Sequence, residues 1–293
     1  MKSISIEEVN LTGCMVALGK FEGIHKGHQL LLQHAVDAGD ANHPSVAFTI
    51  DMPDTLRIYT AQERDALLEQ MGIAYKVYCN FTKEFASHTP EEFVRDILVK
   101  KLHPSKVIVG RDFRFGANRA GDVEILKALG RKYGFMVCAF EKLSCGDDVI
   151  SSTRVRAFLQ EGKVEKIEAY LGRFYSVEGV VQQGKKLGRT IGFPTANILP
   201  TQEKLLPPNG VYETKITIGD RRYRAITNVG VNPTVDCDNS KKIESHILEW
   251  DGNLYGKKIK VEFVRFVRKE RKFDSIEDLK NQIEFDTIGV AHQ

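Results

Sequence analysis

Long hydrophobic runs are missing from this sequence. No apolar stretch approaches membrane-spanning length, and the first eleven residues, MKSISIEEVNL, carry two glutamates where a secretory signal needs unbroken apolar sequence. Cysteine is scarce as well: Cys14, Cys79, Cys138, Cys145 and Cys237 are odd in number, widely spaced and in neither C-x-x-C nor C-x-x-C-H order. They read as reduced thiols, and the expected location is the cytoplasm, with no membrane partner. Nor does either charge predominate, since 42 Lys and Arg face 39 Asp and Glu for a formal +3. That balance argues against a nucleic-acid partner, while leaving room for locally placed cations that hold the phosphates of a small molecule. Internal repeats and low-complexity segments are absent too.

What is present is ordinary globular composition, 42% hydrophobic and 28% charged over 293 residues, a length that favours two compact units with a core each. Short β-rich runs at Met15–Leu18, Val46–Ile50, Tyr75–Cys79, Val107–Val109 and Met136–Phe140 predict five buried strands. Helical patterns lie between them. The clearest spans Thr89–Leu102, with Thr89 as N-cap, Pro90 at N1, Glu92 closing a capping box, and Val94, Ile97, Leu98 and Lys101 on one face. Alternating strands and helices predict an α/β unit with a mostly parallel sheet, whose ligands bind beyond the carboxyl ends of the strands. After Leu171-Gly172 the pattern becomes antiparallel β. Turns at Gly219-Asp220 and Asp251-Gly252 predict hairpins joining Tyr212–Ile218 to Tyr223–Asn228 and Glu244–Trp250 to Leu254–Phe263. Strict alternation in Lys258–Phe263 breaks at Val264, which predicts a bulge. A small barrel fits, closed by a final helix that Ser275 caps and that Ile276, Leu279 and Ile283 pack. The expected domains are 1–172 and 173–293.

Four segments carry chemistry. Directly after the first predicted strand, Gly19-Lys-Phe-Glu-Gly-Ile-His-Lys-Gly-His28 runs into a helix. Glycines allow an anion close to the backbone, the helix N-terminus offers free N–H groups, and His25 and His28 can donate to phosphate. Two histidines three apart also serve as caps or packing groups, and zinc is a further alternative that lacks a third ligand nearby. Asp112, Phe113 and Arg114 lie in Gly110-Arg-Asp-Phe-Arg-Phe-Gly116, where rings and cations suit a planar ring and a phosphate, or where Phe113 and Phe115 are simply core. Ser151, Ser152, Thr153 and Arg154 open a helix as phosphate ligands or as an ordinary cap. Gly184-Lys-Lys-Leu-Gly-Arg-Thr-Ile-Gly-Phe-Pro-Thr-Ala-Asn197 reads as a phosphate-covering loop or a basic hairpin. Its Thr195 and Asn197 oxygens suit hard Mg²⁺. Glu244 opens a rigid strand as a candidate general base or as solvated surface.

The order and content of these segments resemble the prokaryotic bifunctional riboflavin kinase/FAD synthetase (FMN adenylyltransferase) family over essentially the whole chain. The resemblance rests on His25-x-Gly27-His28, Asp112–Gly116 and Ser151–Arg154 in the first half. In the second it rests on Gly184–Asn197, Pro208–Tyr212, Asn228–Thr234, Glu244-x-His246 and Leu254-Tyr-Gly256. It implies a Rossmann-like nucleotidyltransferase domain that turns FMN and ATP into FAD, and a six-stranded antiparallel barrel that phosphorylates riboflavin from ATP. Gly19, Phe21, His25, Gly27, His28, Ser151, Ser152, Thr153 and Arg154 would hold ATP in the first, with Asp112, Phe113 and Arg114 near flavin or nucleotide. In the second, Gly184, Lys185, Gly188, Arg189, Gly192, Thr195 and Asn197 would hold Mg²⁺ and ATP, and Glu244 would act as base. The chain departs from the family at Lys20 and Glu22, where G-N-F-D-G-V-H is usual, and around Met52, where T-F-x-P-H-P supplies a histidine. Those departures motivate a second reading, a monofunctional riboflavin kinase with a drifted first domain. A non-catalytic flavin-binding regulator is a third, against which the joint retention of Thr195, Asn197 and Glu244 argues.

Overall fold

The five apolar runs form five parallel strands, and a sixth joins them at the edge. In the computed structural model, which describes residues 1–51, 56–184, 187–231 and 241–291, the first unit contains β1 (Lys2–Ser5), β2 (Cys14–Leu18), β3 (Ser45–Asp51), β4 (Tyr75–Asn80), β5 (Pro104–Gly110) and β6 (Met136–Phe140). They lie in the order β1-β4-β3-β2-β5-β6, with every pairing parallel. Sequence reasoning misses β1 because its KSIS residues are half-buried or exposed and carry no apolar run. From β2 the chain winds one way through β3 and β4, then returns to place β5 and β6 on the other side. The topological switch therefore lies between β2 and β5, where a crevice opens beyond their carboxyl ends.

Both sheet faces are covered. Helix α1 (Lys26–Ala38) buries Leu31, Leu32 and Ala35 on one face, and α2 (Ala61–Gln70) buries Leu68 in the same core. Helix α3 (Val123–Tyr133) buries Val123 and Leu126 in the core of the other. Thr89 and Glu92 form the predicted capping box, but the helix beyond it is π-wound from Phe93 to Leu102 and ends at His103 in the left-handed region, φ 40°. The wider winding brings Phe93 onto the buried face with Val94, Leu98 and Leu102, in place of the expected Lys101.

The second unit is a closed barrel. Strands β7 (Tyr175–Gln182), β8 (Thr195–Ile198), β9 (Gly210–Ile218), β10 (Arg221–Val231), β11 (Lys241–Ile247) and β12 (Lys258–Arg268) close in the order β8-β11-β10-β9-β12-β7, antiparallel throughout. Gly219-Asp220 makes the predicted hairpin, since Ile218 pairs with Arg221. The Asp251-Gly252 hairpin does not form. β11 pairs with β8 and β10 while β12 pairs with β9 and β7, so the segment between them is a crossing connection. Turn chemistry is local, whereas closing the barrel requires β12 to complete the ring between β9 and β7. The predicted bulge is present: Glu213 faces Arg265 and Thr214 faces Phe263, which leaves Val264 as the extra residue. Contacts divide the chain into Met1–Thr55 with Tyr59–Ser152, and Leu56–Ile58 with Thr153–Gln293, so helix α4 (Ser152–Glu161) belongs almost wholly to the second unit.

The terminal helix α5 (Ile276–Ala291) starts where Asp278 N donates to Ser275 Oγ at 3.0 Å. Barrel arginines hold it. Arg268 donates Nε and Nη2 to Asp286 Oδ2 at 2.9 and 2.8 Å, Arg265 reaches the Gly289 carbonyl at 3.2 Å, and Arg224 reaches that of Val290 at 2.6 Å. The Asp286 side chain is only 2% exposed. Asp286→Ala should therefore destabilise the barrel by about 3 kcal/mol, because Arg268 is left half-sealed without its counter-ion. The sole tryptophan, Trp250, lies in this unit, so its fluorescence in a urea titration reads the loss.

Candidate active sites

Two of the chemistry-bearing loops flank the crevice at the switch point. The glycine loop leaves β2 and the Gly110–Gly116 segment leaves β5, and between them is a cavity of about 680 Å³. Gly19, His25, Gly27, His28, Asp112, Phe113, Arg114 and Ser151 all line it, as does Lys20. Phe21 does not line it but is fully buried beneath the loop, at φ 44°, with its ring edge-on to His28 at 5.1 Å. Ile24 is also in the left-handed region at φ 42°, a strained backbone that carries His25 to the start of α1.

His25 is the N-cap of α1, and its Nδ1 accepts from His28 N at 3.3 Å. That contact fixes the tautomer, because an Nδ1 that accepts must leave the ring proton on Nε2. The two rings stack with centroids 3.6 Å apart. His28 has its Nδ1 sealed from solvent and without a partner among the described residues. Burial first, and the neighbouring His25 second, hold His28 well below the usual 6.5. His28 is therefore a neutral N–H donor beside a helix N-terminus, with His25 stacked against it as the cap.

The far wall is aromatic. Phe113 and Phe115 stack at 5.5 Å, Phe115 meets Phe93 at 5.5 Å, and Phe93 meets Phe85 edge-on at 6.0 Å. Phe115 is core and cavity lining together, so the two readings of this segment are not exclusive. Asp112 pairs with Lys142 at 2.9 Å, and Arg114 with Asp122 at 3.2 Å. Ser152 is the first residue of α4, and Thr153 and Arg154 fall with the second unit, where the Arg154 guanidinium lies 4.6 Å from the Phe158 ring centre. Met52 lies outside the described residues.

The barrel carries two adjoining cavities, of about 370 and 380 Å³. Thr195 and Asn197 line both. The first also takes Gly188, Lys242, Glu244 and His246, and is walled by Leu279 and Ile283 of α5 and by Phe273. The second takes Gly184 and the 250–255 connection, including Trp250. Asn197 Nδ2 lies 3.3 Å from Thr195 Oγ1, and Asn197 faces Glu244 across the β8–β11 pairing. Glu244 accepts from Lys242 Nζ at 2.9 Å. His246 lies 3.0 Å through Nδ1 from the Pro194 carbonyl, and its ring is edge-on to Phe193.

Glycine is required in this loop on steric grounds. A Cβ on Gly184 would sit 2.8 Å from Asn197 Nδ2, and one on Gly188 would overlap the Phe193 carbonyl. Gly192 has φ +92°. Lys185 and the Arg189 side chain lie outside the described residues. Sequence reasoning gave no role to Lys242, Asn228 and Glu270, all of which line the first cavity. For Lys242 the signal was available, since residues 242, 244 and 246 share one face of any strand.

Among the described residues no group of three His, Cys, Asp or Glu side chains is arranged to hold a metal, and no helix is long and apolar enough to cross a membrane. A family model described as FAD synthetase matches residues 7–154, and one described as riboflavin kinase matches 171–292. A bifunctional riboflavin kinase/FMN adenylyltransferase of Escherichia coli K12 is 34% identical over 94% of this chain and 91% of its own length. One from Buchnera aphidicola is 35% identical over 98% and 95%. A solved structure from Streptococcus pneumoniae, described as a macrolide-efflux protein, superposes over 100% of both chains with a TM-score of 0.88 at 28% identity.

The buried, neutral His28 makes the first unit acid-sensitive. Its folded pKa lies below the unfolded 6.5, so as pH drops under 6.5 the unfolded chain binds a proton that the folded one refuses. Stability should fall by up to about 1.4 kcal/mol per pH unit in that window. Denaturation of wild type and His28→Gln followed by circular dichroism at pH 7 and 5.5 should show a flatter pH dependence in the variant.

Proposed function

This chain belongs to the bifunctional riboflavin kinase/FMN adenylyltransferase family, and on that premise we propose how its two halves divide the work. The enzyme phosphorylates riboflavin to FMN with ATP and adenylylates FMN to FAD with release of pyrophosphate. Residues 173–293 carry the kinase reaction and 1–172 the adenylyl transfer, a division supported by the family matches at 171–292 and 7–154. Its partners are small molecules and its setting the cytoplasm, a reading supported by the free thiols of Cys14, Cys79, Cys138 and Cys145.

The observation that carries the kinase assignment is that Thr195 and Asn197 line both barrel cavities while Glu244 lines only one. ATP occupies the side of Gly184 and Trp250. Riboflavin occupies the side of Glu244, with its ring against Phe273 and the α5 wall. The phosphoryl group crosses at Thr195 and Asn197. Glu244 removes the 5′-hydroxyl proton as that oxygen bonds to the γ-phosphorus and the bond to the ADP oxygen breaks. Thr195 Oγ1 and Asn197 Oδ1 are hard, neutral oxygen donors on one strand, with the Asn197 amide nitrogen 3.3 Å from Thr195 Oγ1, and such donors fit Mg²⁺ that draws its remaining ligands from phosphate and water. Bound there, Mg²⁺ would neutralise phosphate charge. The glycine loop holds ADP in the product state as it holds ATP in the substrate state.

In the first unit, ATP lies over the N-terminus of α1 with Nε2 of His25 and the neutral His28 donating to its phosphates, and with Gly19, Phe21, Gly27, Ser151 and Ser152 shaping the site. FMN lays its ring on the aromatic wall, near Asp112, Phe113 and Arg114. Its phosphate oxygen attacks the α-phosphorus, and pyrophosphate departs.

Purified protein given riboflavin and Mg-ATP should yield FMN and FAD on chromatography. Glu244→Gln should lower FMN formation about 10²- to 10⁴-fold and leave conversion of supplied FMN to FAD unchanged. Loss of both activities in a folded variant would contradict separate sites, and FMN without FAD would sink the bifunctional reading.

A further inference from the structure

The first barrel cavity is lined by three carboxylates, Glu244, Glu270 and Asp286, and the structure gives each its own donor, Asp286 being held by Arg268. Glu270 Oε1 accepts from Asn228 Nδ2 at 2.9 Å. Glu244 Oε1 accepts from Lys242 Nζ at 2.9 Å. Both side chains of the second pair are mostly shielded, at 24% and 30% exposure. The alternation of β11 makes the pairing obligatory: Ile243, Ser245 and Ile247 are buried, and Lys242, Glu244 and His246 stand together in the cavity.

The neighbouring strand shapes the same arrangement. Asn228 lies directly across from Glu244, and Gly230 directly across from Lys242. The absent side chain at 230 is where Glu270 packs, since a Cβ there would sit 2.5 Å from Glu270 Oε1. Without Lys242, Glu244 would be left with the amides of Asn197 and Asn228 on the two neighbouring strands, and at Asn228 it would compete with Glu270. Like charges sharing one desolvated cavity repel, so the side chain that is not anchored moves.

We propose that Lys242 is a positioning residue for phosphoryl transfer, holding Oε1 of Glu244 so that Oε2 faces the riboflavin 5′-hydroxyl. The proposal rests on Glu244 being the base. Lys242 itself takes no proton in the step: the hydroxyl proton passes to Oε2, the oxygen–phosphorus bond forms, and the ammonium stays on Oε1. The pair then carries a net positive charge beside the transferring phosphoryl, where negative charge is greatest. An ion pair that water still reaches adds little to stability, so the main effect belongs in turnover and not in the melting temperature.

The test is a double-mutant cycle on the full chain, reading FMN formation with riboflavin and Mg-ATP. Lys242→Met should lower kcat about 10- to 100-fold, as expected of a displaced base, with KM for riboflavin changed less than about threefold. Lys242→Arg should recover part of the loss, and Lys242→Met added to Glu244→Gln should cost nothing further. Trp250 fluorescence in a urea titration checks that the barrel of each variant is folded, and FMN-to-FAD conversion should be unchanged in all of them. Full activity in Lys242→Met beside an inactive Glu244→Gln would overturn the positioning role and leave the base in place. An active Glu244→Gln would overturn both. Multiplying losses in the double variant would mean that Lys242 acts on phosphate directly, which also overturns the proposal.

Discussion

A chain of three buried hydroxyls runs through the barrel, and the kinase half depends on it. Thr214 Oγ1 lies 2.6 Å from Thr227 Oγ1, which lies 2.8 Å from Ser245 Oγ, and all three residues are fully buried. Polar groups sealed in an apolar interior are costly unless each finds a partner. These find one only in a single register, in which Thr227 faces Ser245 across β10 and β11. A slip of one residue would send every β11 side chain to the opposite face. Lys242, Glu244 and His246 would point into the core, and Ile243 and Ile247 into the cavity. The hydroxyl chain thus specifies the active face without touching it. The same register sets Asn197 and Asn228 on either side of Glu244, so the group proposed as the base is flanked by amides from two strands.

The corresponding constraint in the first unit is the switch between β2 and β5. Parallel strands on either side diverge in their connections, so the loops after β2 and β5 have no crossover between them and leave a crevice. Into it the chain sends a strained loop, with Phe21 and Ile24 in the left-handed region. That strain is offset by burial, since both side chains are fully inaccessible. The outcome is local and chemical: His25 arrives as a helix cap, and capping decides which of its nitrogens carries the proton.

Much of this was legible in the residues. Five of the six parallel strands, the barrel, the bulge at Val264 and the capping box at Thr89 follow from periodicity and turn chemistry. The misses share a cause. β1 is an edge strand recognised only by its partner β4, the Asp251-Gly252 turn is a good hairpin signal overruled by barrel closure, and the π-winding of Phe93–Leu102 depends on which residues the sheet demands on the buried face. Each is set by tertiary partners, and a local pattern does not contain them. The sites behaved likewise. Glycine loops announce themselves because backbone approach restricts the residue type, as the contact of Gly184 with Asn197 shows. Glu270 does not, because a charged residue on a loop looks the same whether it faces water or a cavity, and Lys242 is legible only through the strand face it shares with Glu244 and His246.

The two proposed sites also differ in what they ask of the protein, and the chemistry accounts for the difference. In the kinase reaction the nucleophile is an alcohol, whose proton must leave as the new bond forms. A carboxylate on a rigid strand, with one oxygen anchored and one directed at the hydroxyl, suits that demand. In adenylyl transfer the nucleophile is the phosphate of FMN, a group whose second pKa is about 6 and which is already ionised at neutral pH. No base is required there, and the proposed site offers donors instead: His25 and the neutral His28, stacked at a helix N-terminus. A charged acidic group beside that helix would repel both substrates. Burial that keeps His28 uncharged serves the same end from the other side, since a neutral imidazole can donate to a departing pyrophosphate without holding it as tightly as an imidazolium would.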